Sequence, residues 1–129
     1  MNYEDLPKGS VLCRGCFDVL HIGHIKHLLE ASKLGEVIVC VTPDRYAGRK
    51  LRFHELERVK HLEMIGYKAA VSPHPTAAED IREKEPSHFC KGREFEGIYD
   101  EIKTAEACHV QIAFVGEKIA SSRALRDEV

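Results

Sequence analysis

Residues 14 to 29, from Arg14 to Leu29, read RGCFDVLHIGHIKHLL, and the order of properties along them decides the fold. Ser10 to Cys16 is an apolar strand that passes through Gly15, and a helix opens at His21 or Ile22. Strand, glycine turn and helix in direct succession begin a parallel α/β unit. His21 and His24 lie three apart around Gly23, a spacing that places both imidazoles on one face of the first helical turn. That turn also presents backbone N–H groups without intrahelical acceptors and the positive end of the helix dipole. Imidazoles, donors and dipole together suit a polyphosphate. Gly15 and Gly23 lack a Cβ, so an anion can approach the backbone closely there.

The rest of the chain repeats the alternation. Ile22 to Leu34 is a helix with Ile22, Ile25, Leu28, Leu29 and Leu34 as its apolar stripe, and Gly35 is its C-terminal cap. Glu36 to Thr42, EVIVCVT, is a β-branched run of the kind buried in a parallel sheet. After a polar, basic loop (Pro43 to Arg52), a second helix runs from His54 to Ile65 with Leu56, Val59, Leu62 and Ile65 inward. Ala69 to Ser72 is a short strand, and Thr76 with Glu79 forms a capping box for a helix that ends before Pro86. His88 to Lys91 is a strand, Glu96 to Cys108 a helix, Val110 to Val115 a strand and Ser122 to Glu128 a terminal helix. This pattern predicts one domain over residues 1–129: a Rossmann-like, doubly wound parallel sheet of about five strands, helices on both faces. Ligands of such sheets bind beyond the carboxyl ends of the strands, where the strand order reverses.

Composition narrows the function. Lys plus Arg is 19 and Asp plus Glu is 21, a net charge of -2, so no global basic field points to nucleic acid. An anionic substrate must be caught by a local cluster. The opening MNYEDLPKGS has no positive n-region or apolar h-region, so no signal peptide is expected. Val37 to Val41 is far too short to span a bilayer. The five cysteines have no framework spacing and read as reduced thiols in a cytoplasmic protein. Cys13 and Cys16 form a C-x-x-C ahead of His21 and His24. A strand–turn–helix reading splits that pair, which argues against zinc or redox chemistry.

The pattern G-x-F-D-x-x-H-x-G-H, made by Gly15, Phe17, Asp18, His21, Gly23 and His24, resembles the signature of the cytidylyltransferase-like nucleotidyltransferases. Further segments carry the resemblance on. Arg49 and Lys50 match basic residues on a loop beside the triphosphate, and Arg58 stands in a Glu-x-Arg-like context. Phe89 to Phe95, with Lys91, Gly92 and Glu94, is similar to a K-G-x-D-[YW] segment, Glu94 replacing the aspartate. Ile119 to Arg126 resembles I-S-[ST]-[ST]-x-[IL], with Ser121, Ser122 and Arg123 near the nucleotide.

The resemblance implies that an acceptor phosphate attacks the α-phosphorus of a nucleoside triphosphate and pyrophosphate leaves. His21, His24 and Lys50 are then catalytic. Gly15, Cys16, Phe17, Asp18, Gly23, Arg49, Lys91, Gly92, Glu94, Ser121, Ser122 and Arg123 contact the nucleotide. Lys26, one turn on, either assists or is solvated. Mg²⁺ is expected on the triphosphate, with no protein metal ligands. Expected partners are ATP or CTP and a sugar- or polyol-phosphate, with no nucleic acid or membrane, in a homodimer.

The runs at Pro75 to Ile81 and Pro86 to Gly92 look most like the heptose-phosphate adenylyltransferase branch, which favours ATP. The short chain looks instead like the glycerol-3-phosphate cytidylyltransferase branch, the CTP alternative. A P-loop phosphotransferase is excluded, because G-x-x-x-x-G-K-[ST] is absent. The class I aminoacyl-tRNA synthetases share the H-I-G-H letters, but at 129 residues the chain is too short for one. A non-catalytic nucleotide-binding module is the alternative of another class.

Overall fold

Five parallel strands form one sheet in the order β3-β2-β1-β4-β5, with β1 Val11–Gly15, β2 Val37–Val41, β3 Lys68–Val71, β4 His88–Gly92 and β5 Gln111–Val115. The computed structural model describes residues 1–92 and 99–115. The helices are α1 Ile22–Ser32, α2 Glu55–Met64, α3 Ala77–Lys84 and α4 Tyr99–Ala107. The doubly wound parallel sheet expected from the alternation is therefore present. The expected terminal helix at 122–128 lies outside the described residues.

Period-two alternation along the strands divides the core. Val11, Cys13, Val37, Val39 and Val41 pack with Leu28 and Ala31 of α1 and Val59 and Leu62 of α2. Leu12, Ile38, Cys40 and Phe89 face the other way, onto Ala77 and Ile81 of α3 and Ala105 of α4. The all-buried run of β2 follows from having helices on both sides. No helix among the described residues is long and apolar enough to cross a membrane.

The chain builds β1, β2 and β3 outward in one direction, then returns to place β4 on the other side of β1. The strand order reverses between β1 and β4, where Cys13 pairs with Cys90. The carboxyl end of β1 at that point is Gly15, so the opening motif leaves the sheet at the switch.

Several local expectations need correction. Of the predicted α1 stripe only Leu28 is buried; Ile22, Ile25, Leu29 and Leu34 are exposed. Small Gly23 and Ala31 share the inner face instead, which brings α1 close to the sheet. On α2, Val59 and Leu62 are inward as predicted, but Leu56 and Ile65 are exposed and Arg58 is buried. Gly35 does not cap α1, which ends at Ser32. At φ +154° it leads into β2, where a Cβ would meet Val11 Cγ2 at 3.3 Å. In the Thr76–Glu79 capping box, Thr76 Oγ1 accepts from Ala78 N–H at 3.3 Å. Its hydroxyl donates to Glu79 Oε2 at 2.9 Å.

Candidate active site

The turn between β1 and α1 is held in a strained shape. Phe17 has φ 51°, a left-handed conformation that costs a bulky L-residue about 1–2 kcal/mol. This reversal folds the Phe17 ring back over Gly15: a Cβ on Gly15 would lie 3.0 Å from Phe17 Cε2. The glycine of the motif thus makes room for the motif's own phenylalanine. The ring also meets that of His24, centroids 5.3 Å apart.

His21 and His24 cap α1 reciprocally. Gly23 N–H donates to His21 Nδ1 at 2.9 Å, and His21 N–H donates to His24 Nδ1 at 3.3 Å. Their rings stack at 3.9 Å between centroids and 28° between planes. An imidazole nitrogen that accepts a hydrogen bond carries no proton, so in the neutral ring the proton sits on Nε2. Both rings are thereby set in the tautomer that donates from Nε2. Burial pushes the His24 pKa down to about 4, aided by His21 and His27, while a hydrogen bond with the Val19 backbone acts weakly the other way. At neutral pH His24 is an uncharged donor. The spacing correctly indicated a shared face; that one first-turn donor, Gly23 N–H, is taken by His21 was not visible in it.

The basic loop follows β2, at the same edge of the sheet. Its stem is fixed by Arg58, which is 0% exposed. Arg58 Nη1 donates to the carbonyls of Cys16 at 2.7 Å and Thr42 at 2.8 Å. Nε donates to Phe53 O at 3.1 Å, and Nη2 to Asp44 Oδ1 at 2.6 Å. Burial alone would raise the Asp44 pKa, but the Arg58 hydrogen bond and the Glu55 backbone N–H hold it below the usual carboxylate range. Arg58 is therefore a buried brace between the motif turn and both ends of the loop, with its donors facing protein oxygens. Asp18 braces the same place, accepting from the N–H groups of Arg52 at 3.0 Å and Phe53 at 2.9 Å. Arg45 is also engaged, through Pro73 O at 3.1 Å. Arg49 and Lys50 are exposed, with no ion pair or side-chain hydrogen bond among the described residues.

Lys91 is the last residue but one of β4, beside the switch point, buried and ion-paired with Glu101 of α4. Gly92 closes the same strand. Glu94, Ser121, Ser122 and Arg123 lie outside the described residues. The structure thus brings the motif turn, the cation loop and the end of β4 to one edge.

The two cysteines of the C-x-x-C sit in different surroundings. Cys13 is wholly buried, and a hydrogen bond with Cys90 together with that burial raises its thiol pKa well above the ordinary range. Cys16 lies past the strand, half-buried. Sequence reasoning missed a second buried network. Arg14 Nη1 donates to Asp80 Oδ2 at 2.6 Å and Ser72 Oγ at 2.8 Å, and Nη2 donates to His74 O at 2.8 Å. Tyr3 OH and Ser72 OH donate to Asp80 Oδ1 at 2.9 and 2.7 Å. It anchors β1 to the β3–α3 turn. The apolar flank of Arg14 was the one available signal, since a charge inside a core strand requires a partner.

Among the described residues, no group of three or more His, Cys, Asp or Glu side chains could hold a metal ion. Asp18, the carboxylate nearest the histidines in the motif, holds one backbone amide on each oxygen.

Comparison with known proteins agrees with this architecture. A family model described as cytidylyltransferase-like matches residues 12–124. The chain is 31% identical over 127 residues to the glycerol-3-phosphate cytidylyltransferase of Bacillus subtilis (strain 168), covering 93% of this chain and 96% of that protein. It is 30% identical over 116 residues to the bifunctional protein HldE of Aliarcobacter butzleri (strain RM4018), covering 78% of this chain and spanning 24% of that protein's length. The span is 21% for the HldE protein of a Nitratiruptor species. A crystal structure of the lipopolysaccharide core biosynthesis protein from Thermoplasma volcanium GSS1 superposes with a TM-score of 0.67 at 27% identity, covering 84% of this chain and 97% of that one.

Proposed function

The chain belongs to the cytidylyltransferase-like family, and on that footing we propose that it transfers a nucleotidyl group from a nucleoside triphosphate to a sugar- or polyol-phosphate. The observation that carries the reading is the stacked pair His21 and His24, capping α1 where the strand order reverses. A phosphate oxygen of the acceptor attacks the α-phosphorus, the bond to the β-phosphate breaks, and pyrophosphate leaves. Atoms and charge balance without a water, an oxidant or a protein nucleophile. The chain's task is to position reactants and stabilise charge. The imidazoles of His21 and His24 supply hydrogen-bond donors to phosphate oxygens as charge builds. Arg49 and Lys50, on an anchored loop, supply the cations for the leaving group. Mg²⁺ enters as part of the triphosphate substrate.

The adenylyl reading, ADP-heptose-type transfer from ATP, is supported by the likeness of Pro75 to Ile81 and Pro86 to Gly92 to the heptose-phosphate branch. A CTP reading is favoured by a separate observation, the 96% coverage of the Bacillus subtilis cytidylyltransferase. Calorimetric titration with Mg-ATP and Mg-CTP, followed by pyrophosphate release across a panel of phosphorylated sugars and polyols, tests both. Binding and turnover of ATP are expected. CTP alone would select the second reading, and neither would leave a nucleotide-free role for the fold.

A further inference from the structure

Asp18 faces inward, onto the backbone of the loop. It is 8% exposed, and each carboxylate oxygen holds one backbone amide, Oδ1 that of Phe53 at 2.9 Å and Oδ2 that of Arg52 at 3.0 Å. The partners are 34 and 35 positions away. A carboxylate gripping two consecutive amides is charge-assisted and bidentate, and so fixes orientation as well as distance. The same two-residue segment is held from its carbonyl side, where Arg58 Nε donates to Phe53 O while Nη1 donates to Cys16 O. Residues 16–18 of the histidine turn and residues 52–53 of the loop are therefore joined at three backbone groups of the loop. The cations Arg49 and Lys50 lie two to four residues before that joint. The stem is braced on both sides, and the cations lie beyond the brace, towards the tip.

We infer that Asp18 is a positioning residue, which sets where the loop cations stand relative to the imidazoles and acts on the nucleotide only through them. Its kinetic consequence rests on the nucleotidyl-transfer reading; its structural consequence does not. Removing the carboxylate releases the joint, and the cations then reach the triphosphate from a distribution of positions. The loss falls on nucleotide KM, and it needs Arg49 and Lys50 to be present.

Two measurements test this. The first is amide hydrogen exchange of the uncomplexed protein, which needs no substrate. In Asp18→Asn, whose amide presents a donor to one of the two N–H groups, exchange at Arg52 and Phe53 should quicken about ten- to hundredfold, as for loss of a charged hydrogen bond, with amides of β1 and β2 unchanged. The second is a mutant cycle of Asp18→Asn against Arg49→Ala/Lys50→Ala, read as nucleotide KM and kcat. The expected result is an increase in KM of about tenfold or more for Asp18→Asn alone and little further change when it is added to the loop variant, because coupled residues are not additive. Multiplying effects would mean that Asp18 touches substrate, and unchanged exchange at Arg52 and Phe53 would mean that it does not hold the loop; either overturns the inference. Where Asp18→Ala fails to fold, Asp18→Asn still decides. If the parent transfers no nucleotide at all, the functional reading fails while the exchange result still judges the joint.

Discussion

The ring of His21 lies on that of His24, centroids 3.9 Å apart, and each Nδ1 accepts a backbone N–H of the turn that the two residues begin. One pair of side chains thus closes a helix end and fixes the tautomer of two imidazoles. These roles separate by substitution. His21→Asn keeps a good N-cap and removes the imidazole, whereas His21→Ala removes both. Both should lose at least about a hundredfold in turnover, the scale of a lost charge-stabilising donor. Only the alanine variant should lose about 1 kcal/mol of stability. Saturating kinetics beside urea titrations check this, and near-parent turnover in His21→Asn would remove the imidazole from catalysis.

Stability should fall on mild acidification. Burial holds His24 and His27 near pKa 4, against an ordinary 6.5. Between those values the unfolded chain takes up protons that the folded chain refuses, so the stabilising contribution is complete above about pH 6.5 and is lost as pH falls towards 4. Each ring contributes up to about 3 kcal/mol. Urea midpoints from pH 7 to 4.5 should show the decline, and His27→Gln should flatten it. An unchanged slope in that variant would remove His27 from the acid sensitivity.

The loop cations should act through Coulombic attraction. Arg49→Ala/Lys50→Ala should weaken nucleotide binding steeply at low salt and much less at high salt. Titrations that match the parent at every ionic strength would reduce the loop to ordinary surface.

Arg58 should prove a structural residue. Arg58→Ala leaves Asp44 without its cation and three carbonyls without a donor, and should cost about 3–5 kcal/mol. Lysine offers a single ammonium in place of the planar fork and should recover little of it. Thermal melts of the two variants decide, and an Arg58→Ala protein as stable as the parent would contradict the brace.

How far the sequence reached depended on whether a residue's role was local. The β-branched run Val37–Val41 and the turn after Gly15 declare themselves over a few positions, so the sheet and the histidine turn were readable. Arg14 meets Asp80 across 66 positions and Asp18 meets Phe53 across 35; no periodicity reports such pairs. Arg58 matched a family position yet faces inward, because identity at a position does not fix the direction of a side chain. The α1 stripe misled for a related reason: with Gly23 and Ala31 against the sheet, the larger apolar residues were left outside.

The end of β1 is gripped on one face by Arg14, through Ser72 and Asp80, and beyond its last residue by Arg58, through Cys16 O. A strand end clamped by two guanidinium groups has little freedom left for a ligand to remove. The entropic cost of binding then falls mainly on the tip of the cation loop. Nucleotide affinity in this chain should accordingly respond more to changes that stiffen or loosen positions 47–51 than to any repacking beneath the histidines.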